Sequence, residues 1–285
     1  RMRNDTLSFV VLLAAASSGA EDSYVDPVRG DDAGPGTGAR PFKTLAHAGT
    51  VALTAADTIH ALPGVYSVLS GETGIVDLKA KLVGAGALRT IVQEVAVLAN
   101  GQGSSVEEIT FRYRTFAGTG VMMEEPRGDF AGQPPDIRIV RNCRFERSTL
   151  IFESGYADNL DLRILAEGNE FLDTGTSHAV TLRWSGLDPG AARQLIELRL
   201  RNNVAIRCQG FFKYDGTTDI MPGWVTRLQV TNNTVVDSAA DAFLFREASN
   251  SRIAEGILSN NLVVRSGRYA VYEVMMVSEL TEVHN

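Results

Sequence analysis

The sequence predicts an all-β chain wound as a solenoid, with each strand of one turn stacked on the matching strand of the next. Three observations carry this. LRLRNNVAIRC (198–208), LQVTNNTVVDS (228–238) and GILSNNLVVRS (256–266) repeat with an Asn pair at the same phase. Cys143 and Asn169 extend the phase upstream, so that Cys143, Asn169, Asn203, Asn233 and Asn261 follow one another at spacings of 26, 34, 30 and 28 residues. A period of this length that varies through insertions signals a stacked repeat rather than a closed globule. Around each Asn, apolar and polar residues alternate at period two with abundant Val, Ile, Phe and Thr, which selects strands over helices.

Position by position the repeat is consistent. Taking Cys143, Asn169, Asn203, Asn233 and Asn261 as zero, the residue before is Asn142, Gly168, Asn202, Asn232 or Asn260. Three before stand Val140, Ala166, Leu200, Val230 and Leu258, and two after stand Phe145, Phe171, Ala205, Val235 and Val263, all apolar. Asn tolerates a left-handed corner, and its amide can bond the Asn of the turns above and below. The pair therefore reads as an inward corner ladder, and the sequon Asn232-Asn233-Thr234 as part of that ladder rather than a glycan acceptor. Four after zero, Arg147, Asp173, Arg207, Asp237 and Arg265 alternate in sign, which reads as a register device, since a slip of one turn would set like charges side by side.

The N-terminal part adds the remaining elements. Residues 1–20, with Arg1 and Arg3, an apolar run from Leu7 to Ala16 and Ser-Gly-Ala at 18–20, read as a secretory signal, the run being too short to span a bilayer. A membrane anchor is the second reading. Residues 21–56 hold a short strand, the Gly-rich loop RGDDAGPGTGARP and a capping helix in which Pro41 suits the first turn and Phe42, Leu45 and Ala46 form an apolar stripe. Asp31 and Asp32 cap turns and the helix start there, with calcium binding as the alternative. Residues 57–285 form the solenoid. Val283, His284 and Asn285 fit positions −3 to −1 of a further turn, so the chain reads as a C-terminally truncated fragment, and Arg1 before Met2 as a frame opening upstream of the start.

This pattern resembles the right-handed parallel β-helix of the pectin-lyase-like superfamily. YVDPVRGDDAGPGTGARPFKTLAHA (24–48) looks like the opening of secreted members, where a helix plugs the end of the helix of strands, and DTIHALPGVYS (57–67) and LVGAGALRTIV (82–92) look like its first turns. The resemblance covers most of residues 24–285 and implies the fold; it leaves the reaction open among lyases, hydrolases, esterases, epimerases and non-catalytic proteins.

Composition narrows function. The 285 residues carry a formal charge of −7, which disfavours a nucleic-acid surface. Cys143 and Cys208, the only cysteines, fall at phases zero and +5 two turns apart, beyond disulfide reach, so both are expected free. A second strand in each turn, aligned from STLIFES, SHAVTLRW, GFFKYD, DAFLFRE and YAVYEV, puts Ile151, Val180, Phe212, Phe243 and Val271 inward. Phe152, Thr181, Lys213, Leu244 and Tyr272 then point outward, followed two residues on by Ser154, Arg183, Asp215, Arg246 and Val274. His178 and Asp241 precede the strand, and the loops 184–194 and 216–224 beside it hold both tryptophans, Trp184 and Trp224.

Sugar rings stack on Trp, and Arg and Lys pair with uronate carboxylates. The face is therefore expected to act on or bind an acidic, uronate-containing polysaccharide. In lyases of the resembling families a Lys or Arg takes the C5 proton while Ca²⁺ or Arg neutralises the carboxylate. On that reading Lys213, Arg183, Arg246 and His178 are the catalytic candidates, Trp184, Trp224 and Tyr272 bind substrate, and Asp215 and Asp241 are the candidate Ca²⁺ ligands. The compact Asp cluster of the Ca²⁺-dependent lyases is missing. Two alternatives stand: a non-catalytic carbohydrate-binding or surface-structural β-helix, and a glycoside hydrolase using Asp215 and Asp241 as its carboxylate pair. The remaining ladder reading makes Arg183, Asp215 and Arg246 a second register device. A secreted or extracytoplasmic location follows from the signal, with no nucleic-acid partner and no membrane insertion once the signal is removed.

Overall fold

The computed structural model describes residues 20–114, 118–124, 128–154, 157–184, 195–215, 225–246, 253–273 and 280–283. They form a parallel β-solenoid. One turn shows the plan: Asp136–Arg141 lies in the first sheet, Arg144–Glu146 in the second and Ser148–Ser154 in the third. The first sheet has ten strands and the other two have eight each, and neighbours within them run parallel. Among the described residues the only α-helix is Leu45–Val51, and no helix is long and apolar enough to cross a membrane.

The corner between the first and second sheets explains the Asn pair. The first member takes the left-handed backbone: φ is 54° at Asn142, 64° at Gly168, 57° at Asn202 and Asn232, and 54° at Asn260. Asn is the non-glycine residue that visits this region most readily. The second member turns inward and is buried. Asn203 is representative. Its Oδ1 accepts from the backbone N and the Nδ2 of Asn169, both at 3.0 Å, and its Nδ2 donates to Ala166 O and to Asn233 Oδ1, again at 3.0 Å. Asn233 repeats the pattern towards Asn261. Every polar atom of the buried amide is thereby satisfied, which is the condition for burying it at all.

The charge ladder sits at the next corner, and it too is left-handed: φ lies between 52° and 56° at Arg147, Asp173, Arg207, Asp237 and Arg265. Arg207 reaches Asp173 at 2.7 and 2.9 Å, and Arg265 grips Asp237 with both nitrogens. The hydrogen bond from Arg207 holds Asp173 below the usual carboxylate range. These pairs are exposed, so solvent screens them and each adds little to stability. Their alternation fits a register device more than a source of stability.

Inside, Phe111, Phe145 and Phe171 stack with ring centroids 5.3 and 4.7 Å apart, and Phe171, Phe211 and Phe243 continue edge-on. The interior also holds a charged pair at positions the apolar alternation does not mark. Asp136 and Arg138 point inward beside Val140 and are fully buried, their Oδ2 and Nη2 2.9 Å apart. Arg138 also donates to the carbonyls of Ala99 and Glu124, and Asp136 accepts from Gly103 N at 2.7 Å.

At the N-terminal end the helix begins at Leu45, later than Pro41 implied, because Thr44 is the N-cap and accepts from His47 N at 3.1 Å. Phe42 remains part of the core, bridging to Val25 as extended chain, and Ala46 is only partly buried. Asp32 accepts from the N of Lys43 and Thr44, and Asp31 from Ala33 N, so both serve as local caps. Towards the other end, Val283 pairs with Ser259 and so stands at position −2, one residue from the expected register; His284 and Asn285 lie outside the described residues.

Both cysteines are free and buried, and burial pushes the Cys143 thiol up to about 12 and raises that of Cys208. A thiol reagent should therefore label neither in the folded protein and both after unfolding in denaturant without reductant. Failure to label after unfolding would refute the register. Replacing Asn203 by Ala strips acceptors from Asn169 and should destabilise by about 2–4 kcal/mol in urea unfolding. Asn202→Gly, at the left-handed position one residue away, should change stability little.

Candidate functional site

The outer face of the third sheet is built on the strands Ser148–Ser154, Val180–Trp184, Phe212–Asp215, Phe243–Arg246 and Val271–Glu273. Val180, Phe212, Phe243 and Val271 are in register, as the sequence implied. The first strand is shifted by one residue from that expectation. Leu150 pairs with Val180, so Leu150 and Phe152 are the buried residues and Ile151 the more exposed one. The shift replaces Ser154 by Glu153 in the outward charged row, where Glu153 stands opposite Arg183.

That row now reads Glu153, Arg183, Asp215, Arg246 across four neighbouring strands. Arg183 Nη2 lies 2.6 Å from Glu153 Oε2, and Arg246 Nε lies 3.7 Å from Asp215 Oδ1. Lys213, two residues before Asp215 on the same strand and face, donates to Asp215 Oδ2 at 2.6 Å. Arg183, Lys213, Asp215 and Arg246 are thus brought together on one surface. The pairing is shared with the charge ladder of the second corner, so this row can fix register as well as present charge.

His178 and Asp241 lie at the start of these strands, in register with Gly210 between them. The His178 ring packs over Gly210, where a Cβ would stand 2.7 Å from Cδ2 and 2.8 Å from Nε2. Among the described residues its buried Nε2 has no hydrogen-bond partner. Burial first, and the positive charge of Lys213 second, push the ring down to about 4, so it is neutral at pH 7. Asp241 is buried; its Oδ1 accepts from Tyr269 N at 3.2 Å, and its Oδ2 lies 3.6 Å from Arg268 Nη1.

The structure does not bring Asp215 and Asp241 together. Each is engaged by its own partners at opposite ends of neighbouring strands, which suits neither a shared Ca²⁺ nor a hydrolytic carboxylate pair. Among the described residues no group of three or more His, Cys, Asp or Glu converges to hold a metal ion. The side chains of Trp184 and Tyr272, the whole of Trp224, the segments 185–194 and 216–224, and Val274 lie outside the described residues. Sequence reasoning missed Glu153, because Leu150, Ile151 and Phe152 are all apolar and mask the alternation. It also missed Gly210, whose signal was the lack of a side chain beside His178.

No family model matches the chain, and no curated protein matches it in sequence. Solved structures do. A GH136 lacto-N-biosidase from Eubacterium ramulus aligns with a TM-score of 0.39 in its native form and 0.40 in its selenomethionine derivative, at 12% identity over 93% of this chain and 68% of that one. A rhamnogalacturonan lyase aligns with a TM-score of 0.33 at 13% identity, over 92% of this chain and 87% of that one. Likeness at this level says nothing about which residues act.

The depressed His178 value has a consequence for stability. As pH falls from 6.5 the unfolded chain takes up the proton before the folded one does, so the contribution of the neutral ring is fully present above about 6.5 and lost as pH falls towards about 4. Urea midpoints measured between pH 7 and 4 should decline less steeply in His178→Gln than in the parent. Parallel declines would show that the ring is not held neutral by its surroundings.

Proposed function

We propose that the protein is a secreted β-helix protein that binds an acidic, uronate-containing polysaccharide along the outer face of the third sheet and cleaves it by lyase-like β-elimination. The observation that supports this reading is the placement of Arg183, Lys213 and Arg246 on one outward face of three adjacent strands. A glycan laid across the strands meets one cation per strand at about 4.8 Å spacing. Guanidinium groups match carboxylates in bidentate fashion, and neutralising the uronate carboxylate acidifies the proton at C5.

In this scheme Arg183 and Arg246 hold the substrate carboxylate and Lys213 takes the C5 proton; the C4=C5 double bond forms as the C4–O4 bond breaks, and the departing O4 takes a proton from water. Lys213 Nζ donates to Asp215 Oδ2 at 2.6 Å, so in this scheme the substrate displaces that contact before Lys213 meets the C5 proton. His178, neutral and buried beside Gly210, positions the strand start. No step is assigned to Ca²⁺, since Asp215 and Asp241 do not converge. The 2.6 Å contact between Lys213 and Asp215 also supports a second reading, a non-catalytic binder in which the pair only presents charge.

A panel of uronate polysaccharides assayed for unsaturated product and for binding separates these readings. With the natural substrate, Lys213→Ala should abolish product formation while changing stability by no more than about 0.5 kcal/mol. Trp184→Ala and Trp224→Ala should raise KM more than they lower kcat, because stacking holds ground and transition states alike. Binding without product would select the non-catalytic reading, and absence of binding to every uronate polymer would overturn both.

A further inference from the structure

The outer face of the second sheet carries a groove of about 370 Å³ around Tyr113, and its lining includes Arg112, Arg114, Arg144, Arg147 and Arg207. Only Glu146 and Asp173 line it as carboxylates. In a chain of formal charge −7 this is a local reversal of sign.

The pairing shows where the surplus lies. Glu146 is shared by Arg112 and Arg144, at 2.5 and 2.7 Å, and Arg144 also reaches Glu170 at 2.9 Å. Asp173 is taken by both nitrogens of Arg207. Arg114 and Arg147 remain. Among the described residues neither guanidinium lies within ion-pair distance of a carboxylate: Arg147 Nη1 donates to the Arg114 carbonyl and its charge acts on Asp173 only at longer range, and Glu94 Oε1 meets the backbone N of Arg114 rather than its guanidinium. Both side chains are exposed. Further along the same corner each Arg has its own Asp, in the pairs Asp173–Arg207 and Asp237–Arg265. At the groove that balance fails in favour of the cations, and clustered like charges cost energy unless an anion relieves them.

We propose that this groove is an anion-binding site, separate from the third-sheet face, that takes the carboxylate or sulfate groups of an acidic glycan. Arg114 and Arg147 supply the open guanidinium donors, in the fork geometry that suits both anions. Tyr113 gives a fixed wall for a sugar ring, held by its hydroxyl bond to Thr119 O at 3.0 Å and by packing against Gly118. Such a site would anchor a polymer on the turns preceding the Lys213 face.

The test is calorimetric titration of a protein carrying Arg183→Gln, Lys213→Ala and Arg246→Gln, which removes the three cations of the third-sheet face, with oligogalacturonate, dextran sulfate, neutral dextran and a single-stranded DNA oligonucleotide. Oligogalacturonate or dextran sulfate should bind, and added salt should weaken the binding. The tighter of the two identifies carboxylate or sulfate as the preferred anion. Arg114→Gln combined with Arg147→Gln should lower affinity about tenfold, and the Lys pair at the same positions should recover part of it. Arg114→Gln alone, at an exposed side chain, should lower it severalfold with unchanged thermal unfolding. Unchanged affinity in both Gln variants, equal binding of neutral dextran, or tighter binding of DNA than of either glycan would each overturn the proposal.

Discussion

The two-residue corner between the first and second sheets is the constraint on which the rest of this solenoid depends. One residue must accept a left-handed backbone and the next must fill a buried polar site, and Asn does both at little cost. Because the corner cannot lengthen without breaking the amide chain, the strands on either side of it keep a fixed phase. Length variation is displaced to the other connections. Between the second and third sheets, Ser148 is followed two residues later by the first inward residue, Leu150, whereas Thr174 is followed six residues later by Val180. From the strand Gly118–Glu124 onward the longest connections follow the third sheet, 125–135 after Glu124, 185–194 after Trp184 and 216–224 after Asp215.

The interior shows the same economy with one exception. Most inward positions hold aliphatic or aromatic side chains, and the amides at the corner satisfy one another. Asp136 and Arg138 depart from this by burying a charged pair among neighbours such as Val140, Ile164 and Leu162. Removing one partner of a buried pair typically costs several kcal/mol, whereas an apolar replacement of both can be neutral. The pair ties the first-sheet strand to the carbonyls of Ala99 and Glu124, the last residues of two third-sheet strands, and to the amide of Gly103, so it fastens the first sheet to the end of the third.

How much of this was legible in sequence depends on how rigid each connection is. The Asn repeat gave the phase, the inward set of the first and second sheets and the free cysteines, because the two-residue corner leaves no room for ambiguity. The third-sheet strand beginning at Ser148 was misplaced by one residue. Its run Thr-Leu-Ile-Phe offers no polar marker, and the preceding corner varies in length. The inward Asp136 and Arg138 could have been found by stepping back in twos from Val140, but charged types at core positions contradict the pattern that identifies a core. The helix start moved from Pro41 to Leu45 because Thr44 caps better than a proline three residues earlier can nucleate. Of the candidate site, the grouping of Arg183, Lys213, Asp215 and Arg246 was legible from register alone. The pairing of Lys213 with Asp215 and the vacancy over Gly210 that admits His178 needed three dimensions.

The amide chain has one property that the other ladders lack. From Asn169 through Asn203 and Asn233 to Asn261, each side-chain N–H points towards the later turn and each side-chain carbonyl towards the earlier one. The amide dipoles therefore add head to tail along the solenoid axis and polarise one another. The stack has a direction in the electrostatic sense, with donors leading and acceptors trailing. Reversing any one amide within this chain would set donor against donor on one side and acceptor against acceptor on the other.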